Sequence, residues 1–158
     1  MTEKKLDVVI YGATGYTGKL VVEYMVKNYL DDNEVNWAIA GRSEEKLKAV
    51  KDVFGLTDSI NEIVVDSNDY ESVQNMVSQS KCILTTVGPY QLYGLNIIKA
   101  CAETGVDYVD LCGEPAWMHQ MIQEYNEIAK GSGARIVFSC GFDLSLIHIS
   151  EPTRPLSI

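Results

Sequence analysis

Long apolar runs are absent from this sequence of 158 residues. No stretch approaches the roughly 18–20 consecutive apolar residues that a membrane-spanning helix needs. The apolar run near the N-terminus, Leu6–Tyr11, is too short for the core of a signal peptide and contains the acid Asp7. We therefore expect an intracellular, cytoplasmic location and no transmembrane segment.

Positive charge is also scarce. Thirteen lysines and arginines stand against twenty-two aspartates and glutamates, which gives a net charge of −9. Such an acidic chain repels nucleic acid and anionic membrane surfaces, so neither is expected as a general partner. This balance still allows a local basic pocket that binds a phosphate group.

Cysteine and histidine are too few and too scattered for a metal centre. The four cysteines form no C-x-x-C pair and have no histidine at ligand spacing; they are Cys82, Cys101, Cys112 and Cys140. We expect reduced thiols and no bound metal. His119 falls on a predicted helix, where we expect a surface position. Because the sequence supplies no nucleophile with a partner base, the catalytic residues are left unassigned.

A regular alternation of strand-like and helix-like segments fills the sequence. Strands are predicted at residues 6–11, 35–40, 63–65, 82–86, 106–109 and 135–139. Helices are predicted at 16–29, 43–54, 69–78, 92–103 and 117–130. In the first helix Leu20, Val21, Tyr24 and Met25 form the expected apolar face, with Val22 as a further candidate. Because parallel strands need crossover helices, this order predicts an α/β fold with a doubly wound parallel sheet of about six strands.

A glycine-rich turn joins the first strand to the first helix and consists of Gly12, Ala13, Thr14, Gly15, Tyr16, Thr17 and Gly18. Glycines here permit a tight turn, let backbone N–H groups approach a pyrophosphate, and allow the helix to pack close to the strand. The positive end of the helix dipole then faces the anion. The G-x-x-G-x-x-G spacing, in this context, predicts a dinucleotide-binding Rossmann fold. The alternative is a tight turn without a ligand.

The end of the second predicted strand indicates which dinucleotide is bound. A site for NAD usually carries an acid here, which holds the ribose 2′-hydroxyl. Instead the strand is followed by Arg42, whose guanidinium fits a 2′-phosphate, and by Ser43, which adds a hydroxyl and a helix N-terminal amide. NADP(H) is therefore favoured over NAD(H). The alternative is that Arg42 is a solvated surface charge.

The loop after the fourth strand is expected to complete the cofactor site. In open α/β sheets ligands lie beyond the carboxyl ends of the strands, near the switch point between the first and fourth. Gly88 and Pro89 fall there and are expected to shape a loop against the cofactor. Tyr90 and Tyr93 either line this cleft or pack on the following helix.

Two carboxylates, Asp110 and Glu114, follow the fifth strand near the expected nicotinamide end. They are candidates for acid/base catalysis. We favour a structural alternative, in which Asp110 accepts hydrogen bonds from loop amides and Glu114, with Pro115, begins the next helix.

Five segments of the sequence, GATGYTG, AGRS, VGPYQLYG, YVDLCGEP and FSCGFD, point to one family. Together they resemble the saccharopine dehydrogenase-like oxidoreductases, over residues 6–143. The resemblance implies an N-terminal NADP-type Rossmann domain over residues 1–143, without its substrate domain. It further implies that the residues contacting the pyrophosphate are Gly12, Thr14, Gly15, Tyr16, Thr17 and Gly18. It places Arg42 on the 2′-phosphate, and Gly88 and Pro89 along the cofactor.

The resemblance also implies an activity. Animal members look like lipid-droplet, mitochondrial or membrane-associated proteins, and some bacterial relatives resemble trans-acting enoyl reductases of lipid assembly. The implied function is hydride transfer to or from an unidentified small-molecule or lipid substrate. A homodimer is a candidate assembly. This part of the protein is expected to be inactive alone. The alternative is a non-catalytic nucleotide-binding module or scaffold associated with lipid droplets or membranes.

The C-terminal segment departs from the family pattern. After Asp143 the peptide LSLIHISEPTR resembles one reading frame of a transposon-end sequencing adapter. We therefore expect residues 144–158 to be adapter read-through rather than native protein, so that His148 has no functional role. The alternative is a divergent natural C-terminus or a splice form.

Overall fold

The computed structural model describes residues 6–30, 35–57 and 59–141. The segment 144–158, expected to be non-native, lies outside these residues. The described residues form six strands: β1 (Leu6–Tyr11), β2 (Trp37–Gly41), β3 (Asn61–Val64), β4 (Ser80–Thr85), β5 (Asp107–Asp110) and β6 (Ile136–Val137). They also form six helices: α1 (Tyr16–Tyr29), α2 (Glu44–Phe54), α3 (Tyr70–Ser78), α4 (Tyr90–Tyr93), α5 (Leu95–Thr104) and α6 (Pro115–Ser132).

These strands pair in parallel in one sheet, in the order β3-β2-β1-β4-β5-β6. β1 is central: its Val9 stands beside Ala38 of β2 on one side and Ile83 of β4 on the other. The chain moves outwards from β1 through β2 and β3, then returns past β1 to β4. This reversal leaves a crevice beyond the carboxyl ends of β1 and β4. The predicted doubly wound α/β fold is confirmed.

Apolar side chains pack on both faces of the sheet. Alternate residues of a strand point to opposite faces, so Ile10 joins one core cluster and Val9 joins the other. The first cluster joins β1 and β2 to α1 and α2 through Val22 and Leu47, which are fully buried. The second joins the sheet to α3, α5 and α6 and contains the fully buried Tyr108. These layers fix the positions of the central strand ends.

Helix ends follow polar and glycine signals in the sequence. At the start of α2 the Ser43 hydroxyl accepts a hydrogen bond from the amide of Lys46 at 3.3 Å. Gly55 ends the same helix in the left-handed conformation, with φ +61°. Asp69 caps α3 by accepting from the amide of Glu71. The caps at Ser43 and Gly55 bound α2 close to the predicted range of 43–54.

Several element boundaries differ from the prediction. The second strand begins at Trp37 rather than at residue 35. The sixth is shortened to Ile136–Val137, and Ser139, with φ +56°, has a backbone that an extended strand does not contain. The helix predicted at 92–103 is instead two helices, α4 and α5, which meet at Gly94. A Cβ at Gly94 would lie 2.5 Å from the ring of Trp117, so packing against α6 requires glycine at this junction.

The predicted apolar face of α1 is partly wrong. Leu20 and Tyr24 are 50% and 58% exposed, whereas the buried positions are Gly18, Val22 and Met25. The buried residues still repeat with a helical period, so α1 does have one buried face. That face is rotated around the helix axis from the predicted one. Gly18 sets this rotation because it packs directly on the preceding glycine turn.

The part of the chain that the structure describes holds neither a membrane span nor a metal cluster. No helix there is long and apolar enough to cross a bilayer. The same residues bring together no group of three or more His, Cys, Asp or Glu side chains that could hold a metal ion.

Substitutions on α1 test its orientation. Met25→Ala removes a side chain that is only 8% exposed, and we expect it to lower the free energy of unfolding by about 2–5 kcal/mol. Leu20→Ala removes a half-exposed side chain from the same helix and is expected to cost less than about 1 kcal/mol. Urea denaturation measures both values, and equal losses would contradict this orientation of α1.

Candidate functional site

A groove of about 390 Å³ lies beyond the carboxyl ends of the central strands. The loops after β1, β2, β3 and β4, together with α4, form its walls. The residues that line it are Tyr11, Gly12, Thr14, Gly15, Gly41, Arg42, Ser67, Thr86, Val87, Gly88, Pro89 and Tyr93. Open α/β sheets bind their ligands at this place, where the strand order reverses.

The glycine turn between β1 and α1 forms one surface of this groove. Gly12 has φ +94°, a conformation that favours glycine, and a Cβ there would lie 2.6 Å from Oγ1 of Thr86. A Cβ at Gly18 would lie 2.0 Å from the carbonyl oxygen of Gly12. These two close approaches draw β1, α1 and the end of β4 together. Main-chain atoms, rather than bulky side chains, therefore face the groove here.

No side chain caps the first turn of α1. Its N-cap residue is Gly15, which contributes no side-chain hydrogen bond, and the first turn holds no acid. By contrast, α2 and α3 each begin with a side-chain cap and carry an acid in the first turn. The first N–H groups of a helix carry partial positive charge and need an acceptor. An anion in the groove would supply that acceptor.

A guanidinium stands at one end of the groove. Arg42 follows Gly41, the last residue of β2, and its side chain is exposed. A Cβ at Gly41 would lie 3.5 Å from Thr14, so the end of β2 packs closely on the glycine turn. The acids Glu44 and Glu45 lie in the first turn of α2, outside the residues that line the groove. This end of the groove therefore suits an anionic group.

Some residues of the groove lie outside the five sequence segments that point to the family. Tyr11, the last residue of β1, and Ser67, in the loop after β3, line the groove together with Arg42. Burial raises the pKa of the Tyr11 phenol to about 12, so the hydroxyl is neutral at physiological pH. The Ser67 carbonyl accepts a hydrogen bond from Nδ2 of Asn96 at 2.8 Å, which ties this loop to α5. The rule that ligands lie beyond strand ends, applied to β3, identifies Ser67.

The wall on the β4 side includes Gly88, Pro89 and Tyr93. Tyr90 does not line the groove. It is buried, and its hydroxyl donates to the carbonyl oxygen of Thr85 at 3.2 Å. Tyr93 therefore lines the groove, whereas Tyr90 packs in the interior. Each tyrosine takes one of the two roles that the sequence left open.

The structure brings together part of the predicted cofactor site. The predicted residues that line the groove are Gly12, Thr14, Gly15, Arg42, Gly88 and Pro89. The predicted residues outside this lining are Tyr16, Thr17, Gly18 and Ser43. Gly18 packs on the turn and Ser43 caps α2, while the Tyr16 side chain is 85% exposed. A contact from Tyr16 or Thr17 to an anion would use the backbone amides of the helix N-terminus.

The two candidate acid/base carboxylates hold loops and do not line the groove. Asp110 is buried and accepts hydrogen bonds from the Tyr108 hydroxyl at 2.7 Å. It also accepts from the amides of Cys112 at 3.0 Å and Ser139 at 2.8 Å. Glu114 is the N-cap of α6 and accepts from two amides at the start of α4. The geometry supports the structural alternative for both carboxylates.

The groove offers binding groups rather than a nucleophile and base. The described residues that line it include no Cys, His, Asp, Glu or Lys. Burial raises the pKa of the Cys112 thiol to about 11 and that of Cys82 to the same value, so both thiols are protonated at neutral pH. His119 is exposed on α6, as expected. The site can therefore bind and orient a ligand, but its own side chains supply no acid/base pair.

Comparison with known proteins relates the chain to a family. The family model of the saccharopine dehydrogenase NADP binding domain matches residues 8–137. A lipid droplet localized protein of Caenorhabditis elegans is 42% identical over 148 residues, which cover 88% of this chain and 34% of that protein. A trans-acting enoyl reductase of Mycobacterium ulcerans is 39% identical over 142 residues, which cover 89% of this chain and 33% of that protein.

A solved structure shares the fold. It is the apo, histidine-tagged saccharopine dehydrogenase (L-Glu forming) from Saccharomyces cerevisiae, which matches with a TM-score of 0.69 at 16% sequence identity. The match covers 92% of this chain and 29% of that enzyme, and it concerns the fold alone. The chain spans about a third of the length of the curated relatives that it matches.

Gly18→Ala tests the close approach of α1 to the glycine turn. The added methyl group would overlap the carbonyl oxygen of Gly12, so we expect a loss of about 1–3 kcal/mol in the free energy of unfolding. The control is Gly131→Ala in α6, where a Cβ meets no atom within 4 Å and where alanine should stabilise by up to about 1 kcal/mol. Thermal denaturation compares the stability of the two variants. Unchanged stability in Gly18→Ala would contradict a close contact between residue 18 and the carbonyl oxygen of Gly12.

The buried phenol of Tyr11 makes stability sensitive to alkaline pH. Its pKa is about 12 in the folded chain, against an ordinary value of 10.0. A group whose pKa rises on folding stabilises the native state below its unfolded pKa, and this contribution is lost as pH rises towards the folded value. We expect the free energy of unfolding to fall between about pH 10 and pH 12, and Tyr11→Phe to reduce this fall. Urea denaturation at several pH values measures it, and a fall that Tyr11→Phe leaves unchanged would contradict the assignment.

Proposed function

The chain belongs to the family of saccharopine dehydrogenase NADP-binding domains, and we propose that its groove is the NADP(H) site. The pyrophosphate would lie on the glycine turn, where amides of the first turn of α1 act as donors. The 2′-phosphate would pair with Arg42, and the amide of Ser43 would stand beside it. Gly88 and Pro89 would lie along the nicotinamide half.

An open helix N-terminus and a guanidinium share one groove, and this pairing is the main support for the proposal. The first turn of α1 has neither a side-chain cap nor an acid. Arg42 stands directly after β2, where a site for NAD usually carries an acid. These two features match the two anionic parts of NADP(H), which are the pyrophosphate and the 2′-phosphate. Glycine is required at residues 12 and 18 because larger residues would collide with Thr86 and with the turn itself.

NADP(H), when bound, supplies the hydride chemistry. The chain's own residues bind and orient the dinucleotide. Arg42 holds one end by charge, and the main chain around Gly12 and Gly15 holds the centre through backbone groups. Tyr11 offers a neutral hydroxyl beside Ser67 on the β1 and β3 side.

For the whole protein we propose hydride transfer to or from an unidentified small-molecule or lipid substrate. One relative is named a trans-acting enoyl reductase, and this name supports a reductase that acts on lipid-related chemistry. The described residues place no acid/base pair in the groove, so we propose that this part alone is inactive. Whether it acts as a monomer or a homodimer is measured by size-exclusion chromatography with light scattering.

A second candidate function is a non-catalytic nucleotide-binding module or scaffold on lipid droplets or membranes. The name of the Caenorhabditis elegans relative, a lipid droplet localized protein, supports this candidate. The full-length gene separates the two functions. An acid or base that faces residues 86–90 would favour the enzyme, and the lack of one would favour the module.

We further propose that residues 1–143 are the native NADP-binding domain and that 144–158 are adapter read-through. The peptide likeness supports this division, and the family match ends within the domain, at residue 137. Genomic DNA through the codon for Asp143 tests it. A different sequence after that codon would support read-through, and genomic DNA that encodes residues 144–158 would contradict it.

Arg42→Ala tests recognition of the 2′-phosphate. The substitution removes a charge-assisted pair, so we expect NADPH to bind about 10–100-fold more weakly. Binding of NADH, which lacks the 2′-phosphate, should hardly change. Titration of the chain with each nucleotide, followed by nicotinamide fluorescence, measures both dissociation constants.

Lys48→Ala is the matched control for charge. It removes a positive side chain from α2, the helix that follows Arg42, where Lys48 pairs with Glu44 on the surface. Both affinities should stay as they are in the unmodified chain. Normal NADPH binding by Arg42→Ala, or an equal loss in Lys48→Ala, would contradict a specific role for Arg42.

A further inference from the structure

A carboxylate outside the groove holds one of the groove's walls. Glu114, in the loop after β5, accepts a hydrogen bond from the amide of Tyr90 at 2.7 Å through Oε1. Its Oε2 accepts from the amide of Gln91 at 2.9 Å. These amides directly follow Gly88 and Pro89, which line the groove. We propose that Glu114 is a positioning residue that sets the wall of the groove for the nicotinamide half of the dinucleotide.

The start of α4 needs an acceptor from elsewhere. This helix has only four residues, and its N-cap, Pro89, provides no side-chain hydrogen bond. The first N–H groups of a helix have no acceptor within the helix itself. Glu114 engages two of them with both carboxylate oxygens, and hydrogen bonds to a charged group are stronger than neutral ones. The direction in which the chain leaves Pro89 therefore depends on Glu114.

Packing fixes the inner side of the same segment. The Tyr90 ring lies 5.9 Å from the ring of Trp117, and the Tyr90 hydroxyl accepts a hydrogen bond from the amide of Leu111 at 3.4 Å. At the end of α4, Gly94 lies so close to Trp117 that a Cβ would come within 2.5 Å of its ring. Contacts with Leu111 and Trp117 therefore hold the inner side and the end of this segment. Glu114 holds its beginning. Tyr93 is left to face the groove.

Strand order decides which half of the ligand this wall meets. In the proposed NADP(H) site, on which this inference rests, the pyrophosphate lies over the end of β1 and the 2′-phosphate lies at Arg42 after β2. β4 adjoins β1 on the side opposite to β2. The loop after β4 therefore meets the part of the dinucleotide that extends away from the adenosine, which is the nicotinamide half.

Two ligands separate positioning from general loss of structure. The chain of 158 residues is titrated with NADPH and, separately, with 2′,5′-ADP, which carries the adenosine and the 2′-phosphate but no nicotinamide half. We expect Glu114→Ala to weaken NADPH binding about tenfold, because a wall that has lost this anchor must be ordered when the nicotinamide half binds. Binding of 2′,5′-ADP should be unchanged. Glu114→Gln keeps one acceptor oxygen, so its affinity for NADPH should lie between that of the unmodified chain and that of Glu114→Ala.

Glu103→Ala is the matched control. It removes another carboxylate that joins two elements, since Glu103 on α5 accepts from the Tyr70 hydroxyl on α3, outside the groove. Both affinities should stay normal in this variant, and thermal denaturation of all variants shows how much stability each has lost. Glu114→Gln carries the test if Glu114→Ala does not fold.

The outcomes separate this inference from the proposed function. Normal NADPH binding by a folded Glu114 variant would overturn the positioning role alone. A variant that loses affinity equally for NADPH and for 2′,5′-ADP would overturn it as well. A Glu103→Ala variant with the same selective loss of NADPH would overturn it too. Failure of the unmodified chain to bind NADPH would overturn the proposed function, and the inference with it.

Discussion

The groove depends on how closely α1 approaches the end of β1. The two main chains meet where Gly18 faces the carbonyl oxygen of Gly12, a contact that any side chain at residue 18 would prevent. Because of this contact Val22 and Met25 turn inwards and Leu20 stays half exposed. The same contact places the uncapped first turn of α1 beside the groove. One steric constraint thus sets the packing of a helix and the position of the surface that we propose binds the pyrophosphate.

An acidic chain binds an anionic dinucleotide through local groups. The net charge of −9 opposes approach of the ligand from a distance, but salt screens this repulsion beyond roughly 8 Å. In the proposed site, Arg42 and the N-terminus of α1 would act on the dinucleotide at contact distance within the groove. In our proposal the acid Glu114 contributes without touching the ligand, because its carboxylate accepts hydrogen bonds from the amides of Tyr90 and Gln91. Glu114 would hold the wall formed by the loop after β4, and it is not among the residues that line the groove.

Local signals made the fold and the centre of the site predictable. Apolar runs marked the strands, and Ser43 and Gly55 marked the ends of α2, because a cap depends on residues within one helical turn. Contacts between distant residues left no such signal. The break between α4 and α5 requires the ring of Trp117 against Gly94, and the buried stripe of α1 follows from Gly18. Ser67 enters the groove only because β3 lies in the same sheet.

An NMR titration of the isotope-labelled chain with NADPH tests most directly where the dinucleotide binds. We predict saturable changes in amide resonances at residues 12–18, 42–43 and 86–93, which surround the groove above β1. A second, smaller groove between α5 and α6, lined by Met121 and Tyr125, should show little change. Changes concentrated at that second groove, or no saturable change at all, would contradict binding along the glycine turn.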